Sequence, residues 1–179
     1  MNWNNITIEK LQEISELDDS FNDIEKTAHV VSIIKGIPYS EVEQWTLDEL
    51  RKVDISFLKE IPKTKLKFRF KHNGKRYKLV RTAKEMKAHH FIELQELREK
   101  ETIEVLPEII ACLSYRVNIF GRRINDDYED KVKEFKKLPV IAFYNYALFF
   151  SALYPKLLDA TRIYLMEKMM EAKATLSDG

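Results

Sequence analysis

Asn73-Gly74 lies between two segments in which basic and apolar residues alternate, and no other feature constrains the fold of this chain as strongly. Both residues tolerate positive φ, as a two-residue hairpin turn requires. A turn centred there sets His72 opposite Lys75, Phe70 opposite Tyr77 and Phe68 opposite Leu79. Leu66, Phe68, Phe70, Tyr77 and Leu79 then share one face, of which Phe68, Phe70, Tyr77 and Leu79 are expected to be buried against helices. The other face sets Lys71 opposite Arg76 and Arg69 opposite Lys78, like charges that cost about a few tenths of a kcal/mol per pair. This basic face is expected to point outward or toward acids of residues 1–62.

The charge is strongly segregated. Residues 63–87 hold eleven Lys or Arg and one acid, Glu85, whereas residues 1–62 hold thirteen acids and six bases, so balances of +10 and −7 hide inside a net charge of +1. Lys65, Lys67, Arg69, Lys71, Arg76 and Lys78 form the candidate electrostatic docking set. They ask for an anionic neighbour. The acidic N-terminal residues within the fold, a partner protein and nucleic-acid phosphate all satisfy that demand. The charges can also guard a sheet edge against aggregation.

Helical periodicity and capping chemistry organise the rest, giving a mainly α chain with one β-hairpin (α+β). Its parts read as an N-terminal helical module at 1–62, the basic hairpin at 63–81 and a C-terminal helical bundle at 82–179. Thr7 is expected to cap a helix carrying Ile8, Leu11, Ile14 and Leu17, and Ser20 one carrying Phe21, Ile24, Ala28, Val31 and Ile34 that Gly36 stops. Ser40-x-x-Glu43 and Thr46-x-x-Glu49 have the form of capping boxes, predicting a short helix near 41–45 and another from 47 to about 59, before Pro62. Thr82-x-x-Glu85 predicts a further helix through Met86, Phe91, Leu94 and Leu97 to about Lys100. Pro107 precedes a predicted helix over Ile109–Tyr115, Asn118–Asn125 reads as a loop, and Asp126 or Asp127 caps a helix bearing Tyr128, Val132 and Phe135.

Leu138 to Tyr154 carries no charge. Seventeen such residues are short for a membrane span, and Asn145, Ser151 and three tyrosines make them less apolar, so a core helix or a subunit contact is the better reading. The helical pattern runs from Val140 to about Ala172 with a break or kink at Pro155, and Tyr164, Leu165, Met166, Met169 and Met170 give its tail an adaptable apolar stripe. The mean hydropathy of −0.38 and even charge balance suit a soluble chain, and Met1–Ile8 has no secretory pattern.

Chemistry-bearing motifs are sparse. The single Cys112 sits in an apolar run and reads as a small buried hydrophobe in a reducing compartment. His89 and Glu93 share a helical face, yet His29 and His72 lie in distant elements, so no metal site and no cofactor is expected. Glu93, Glu96, Glu99, Asp126 and Asp127 fall at spacings of solvated faces and caps. With four glycines, no phosphate-cradling loop and no nucleophile motif, the chain is expected not to be an enzyme.

The order of motifs carries a resemblance. Ile6-Thr-Ile-Glu-Lys-Leu-Gln-Glu-Ile14, Gly36-Ile-Pro-Tyr-Ser-Glu-Val-Glu43 and Trp45-Thr-Leu-Asp-Glu-Leu50 are followed by Phe70-Lys-His-Asn-Gly-Lys-Arg-Tyr77, Phe91-Ile-Glu-Leu-Gln-Glu-Leu97 and Pro139-Val-Ile-Ala-Phe-Tyr-Asn-Tyr-Ala-Leu-Phe-Phe150. This series resembles small helical proteins encoded among the virion genes of tailed phages of gut Bacteroidota, crAss-like phages included. It is similar to their cargo or tail-associated proteins and, more loosely, to tail assembly chaperones. The resemblance implies a non-catalytic protein of the virion, or of the host cytoplasm during assembly, that contacts portal, tail or ring components or further copies of itself. It supplies no functional residues. A nucleic-acid-binding module using the basic hairpin is the competing class, weakened because the hairpin aromatics fall on the opposite face from the cations.

Overall fold

Asn73 and Gly74 adopt φ of 46° and 74°, and the chain reverses between them. A computed structural model describes residues 2–62, 64–82, 85–97 and 100–150, with Ala88 and Phe91 described by backbone alone. Strands β1 (Arg69–His72) and β2 (Lys75–Leu79) pair antiparallel in the expected register, Arg69 with Lys78, Phe70 with Tyr77, Lys71 with Arg76 and His72 with Lys75. The Leu79 N–H donates to the Phe68 carbonyl at 2.9 Å, extending the ladder by one bond.

The hairpin is half of a larger sheet. Strands β3 (Ser114–Val117) and β4 (Arg123–Ile124) continue it in the order β1-β2-β3-β4, antiparallel throughout. This corrects two expectations: the helix over Ile109–Tyr115 ends at Cys112, and the loop Asn118–Asn125 contains β4. Pairing with β2 decides the outcome, because Arg76 to Leu79 offers a free edge that takes Val117, Arg116, Tyr115 and Ser114 in register. The chain is therefore mixed α+β.

Seven helices between caps precede the last described one: α1 (Ile8–Ser15), α2 (Asp23–Lys35), α3 (Tyr39–Val42), α4 (Leu47–Arg51), α5 (Ala88–Leu97), α6 (Leu106–Cys112) and α7 (Tyr128–Phe135). Thr7 caps α1, and Thr46 with Glu49 forms the expected box at α4. Elsewhere the caps shift. Asn22, not Ser20, caps α2 in a box with Glu25, leaving Phe21 outside the helix to stack on His29 at 4.6 Å. Pro38 occupies the cap of α3, so Ser40 is already helical. Helix α4 stops at Arg51 and a 3₁₀ turn, Ser56–Lys59, follows. The Glu85 carboxylate accepts from the Arg81 N–H, and α5 opens at Ala88 rather than after Thr82. Ala83 and Lys84 of that motif lie outside the described residues.

Residues 140–150 are helical, as expected for the uncharged segment. Residues 151–154, Pro155 and the methionine stripe lie outside the described residues, as do Lys63 and Glu99. Backbone contacts separate Met1–Ala147 from Leu148–Gly179 as compact units. In the first unit, the inner sheet face packs an aromatic cluster in which Phe70 meets Tyr77, Phe135 and Phe143 at 5.1, 5.6 and 4.7 Å. Tyr146, 1% exposed, donates its hydroxyl to the Val80 carbonyl at 3.0 Å. A satellite core of Ala28, Val31, Val42 and Leu50 joins α2, α3 and α4.

Two polar side chains enter this core without warning from the sequence. Lys131, 8% exposed, donates to the carbonyls of Ala111 and Ser114 at 2.8 and 3.0 Å, tying α7 to the end of α6. His90, 3% exposed, accepts from the Lys87 N–H through Nδ1 at 3.2 Å. Burial first, then the charges of His89, Arg123, Lys131 and Lys87, pushes the His90 pKa down to about 4. A histidine so depressed is neutral in the fold, while the unfolded chain takes up its proton near pH ~6.5. Its contribution to stability is complete above pH ~6.5 and is lost as pH falls toward about 4, on the order of 1–3 kcal/mol in all. Urea midpoints across that window should fall in the wild type, and His90→Gln should flatten the slope.

Candidate docking surface on the sheet

Strand alternation and register decide which side chains share the outer face of the sheet. Arg69 and Lys71 of β1 stand opposite Lys78 and Arg76 of β2, which in turn pair with Tyr115 and Val117 of β3, and Val117 pairs with Arg123 of β4. The structure therefore brings together Arg69, Lys71, Arg76 and Lys78 from the predicted docking set. It adds Arg123, which the sequence reading assigned to a loop. Lys65 and Lys67 are exposed in the segment before β1 and do not line the same groove.

The inner face behaves as expected at Phe68, Phe70, Tyr77 and Leu79, whereas Leu66, ahead of β1, is exposed. Tyr77 and Leu79 are buried, and Phe68 and Phe70 are half-buried. Lys75 points to this side, where it pairs with Glu134 of α7, and the Tyr77 hydroxyl donates to the same carboxylate at 3.2 Å. Burial alone would raise the Glu134 pKa, but the bond and charge of Lys75 outweigh it and hold the carboxyl below its ordinary range.

No comparable acid meets the outer face. The ion pairs among the described residues are Lys26 with Asp19, Lys75 with Glu134 and Lys131 with Asp126, and none engages Arg69, Lys71, Arg76, Lys78 or Arg123. All thirteen acids of residues 1–62 are exposed, so the N-terminal module does not neutralise the sheet within the fold. The outer cations point outward.

A groove of about 510 Å³ runs along this face, floored by β1 and β2 and walled by Val117 to Gly121. The wall is built locally. The Asn118 side-chain oxygen accepts from the Phe120 and Arg122 N–H groups, both at 2.9 Å, and Gly121 takes φ of 77° to close the turn. Ile119 and Phe120 at its tip are 70% and 80% exposed, the two most exposed large apolar residues among those described. Tyr115 has cations over its ring instead, with Lys78 Nζ 5.6 Å and the Arg123 guanidinium 5.0 Å from its centroid.

The face can bind an anionic surface and grip it with an apolar tip, but it holds no acid-base pair or nucleophile. Cys112 is buried on the other side of the sheet, its thiol pushed up by burial and by the neighbouring Glu93. Among the described residues, no group of three or more His, Cys, Asp or Glu is arranged to hold a metal. No described helix is long and apolar enough to cross a membrane. No protein-family model, no curated protein and no solved structure matches the chain.

Proposed function

We propose that this is a non-enzymatic bacteriophage protein of the virion or of virion assembly, a cargo or tail-associated component working in the virion or the host cytoplasm, which binds other proteins through the outer face of its sheet. The phage assignment rests on the order of motifs in the chain. The binding mode rests on one observation: four cations of β1 and β2 stand outward with no acidic partner among the described residues, beside an exposed Ile119-Phe120 tip. Arginine and large apolar side chains side by side are what protein interfaces concentrate. Portal, tail or ring components are the partners this reading names.

Nucleic-acid binding draws on the same cations, and the exposed Phe120 ring favours it. Two features weigh against it. Lys78 and Arg123 lie over the Tyr115 ring, where a base would have to stack. The thirteen exposed acids of residues 1–62 also repel phosphate from their part of the surface, and the net charge is only +1.

The test is the triple reversal of Arg69, Arg76 and Lys78 to Glu. The inner face holds the fold, so helical content should stay at the wild-type value while incorporation into virions, quantified by mass spectrometry, falls to background. Equal incorporation would remove the sheet face from the mechanism.

A further inference from the structure

We propose that the occupant of the basic sheet face is the acidic N-terminal module of a second copy of this chain, so that copies join head to tail. This rests on the reading of the sheet as a docking surface and names what docks there. Two complementary surfaces lie on separate residues of one chain. The first is the cationic groove with Ile119 and Phe120 at its edge. The second is carried by α2, α3 and α4, where Glu41, Glu43, Asp48 and Glu49 are exposed around Leu47, and Asp23 and Glu25 flank Ile24. Leu47 is 52% and Ile24 42% exposed. The sheet face thus offers cations beside exposed apolar side chains, and the helices offer acids in excess over their own exposed Lys35, Arg51 and Lys52 beside theirs.

Intrachain neutralisation is the simplest fate of a +10 segment and a −7 segment, and among the described residues no ion pair joins the two. The wall of the groove contains no acid, and the acidic helices carry one described ion pair, Lys26 with Asp19. A near-neutral chain with both charged surfaces open is complementary to itself. A nucleic acid would satisfy only one of the two. A head-to-tail contact uses one surface of each copy and leaves one of each free at the ends, so it propagates into a ring or an open filament; a dimer closed by reciprocal pairing of both surfaces across a two-fold axis is a result that would overturn it. Opposite charges steer the encounter and fix its register, while the apolar tips supply the desolvated centre.

Sedimentation of the purified full chain tests this. At low ionic strength its mass should grow with concentration beyond a dimer, and in about 1 M salt, where the screening length is about 3 Å, it should return to the monomer. The triple reversal Arg69→Glu, Arg76→Glu, Lys78→Glu should be monomeric, as should Glu41→Lys, Glu43→Lys, Asp48→Lys. Mixing the two variants should restore association, because each reversed surface then meets a complementary one. A wild type that stays monomeric at low salt would overturn the proposal, as would assemblies that persist in the sheet reversal, or association that begins only when a random single-stranded oligonucleotide is added. A monomeric wild type whose incorporation into virions still depends on the three cations would refute self-association and leave the docking surface in place.

Discussion

Phe143→Ala is expected to destabilise the protein by about 3–5 kcal/mol, the range of large aromatic truncations in packed cores. Phe143 is 4% exposed and its ring lies 4.7 Å from that of Phe70 at 76°, an edge-to-face contact that joins the uncharged helix to the inner face of the hairpin. Removing the Phe143 ring opens a void against Phe70, which is itself fixed by its stack on Tyr77 and its contact with Phe135. Those rings belong to separate elements held by register, which limits how far they can close the gap. Phe120→Ala, at a position 80% exposed, should change stability by no more than about 0.5 kcal/mol. Urea unfolding of the two variants beside the wild type checks both values, and equal losses would contradict the placement of the core.

Lys131→Met should also cost about 3–5 kcal/mol, for a different reason. Asp126 is the acid nearest this ammonium, at 3.7 Å, too far for a hydrogen bond, and its Oδ2 is buried without another partner. Burial lowers the Lys131 pKa more than Asp126 raises it, and the Ala111 and Ser114 carbonyls hold the nitrogen in place. Methionine fills the same space and abandons all three oxygens. Adding Asp126→Asn removes the stranded carboxylate and should recover only part of the loss, because the Ser114 carbonyl still lacks its ammonium donor and the Ala111 carbonyl keeps only the Ser114 hydroxyl, at 3.3 Å. Full recovery in the double variant would show that the carbonyl bonds contribute nothing.

The hairpin was legible because everything that specifies it is local: a two-residue turn that admits positive φ, and alternation that assigns each side chain to a face. The second hairpin was hidden. Ile109 to Leu113 supplies helical periodicity, and nothing within Ser114 to Val117 outweighs it until β2 presents a free edge from far away in the sequence. A signal was there, in Asn118 and Gly121 as turn residues behind the alternating Tyr115 and Val117. The groove wall, Val117 to Gly121 with its Ile119-Phe120 tip, and the placement of Arg123 on the same face both come from this second hairpin. The caps failed differently, since Ser20 and Asn22 both begin plausible boxes and only packing selects between them. His90 and Lys131 could not be placed from sequence, because a polar residue enters a core only where backbone carbonyls or amides from other elements wait for it.

The working surface is most directly tested by counting copies of this protein per virion for two triple reversals of equal charge. One carries Arg69→Glu, Arg76→Glu and Lys78→Glu on the outer sheet face. The other carries Lys52→Glu, Lys65→Glu and Lys67→Glu, which are exposed and outside the groove. Loss of the first from virions with retention of the second at the wild-type level is the predicted result. Retention of both, or equal loss of both, would contradict a docking role for the sheet, since the first would make its cations dispensable and the second would reduce their effect to net charge.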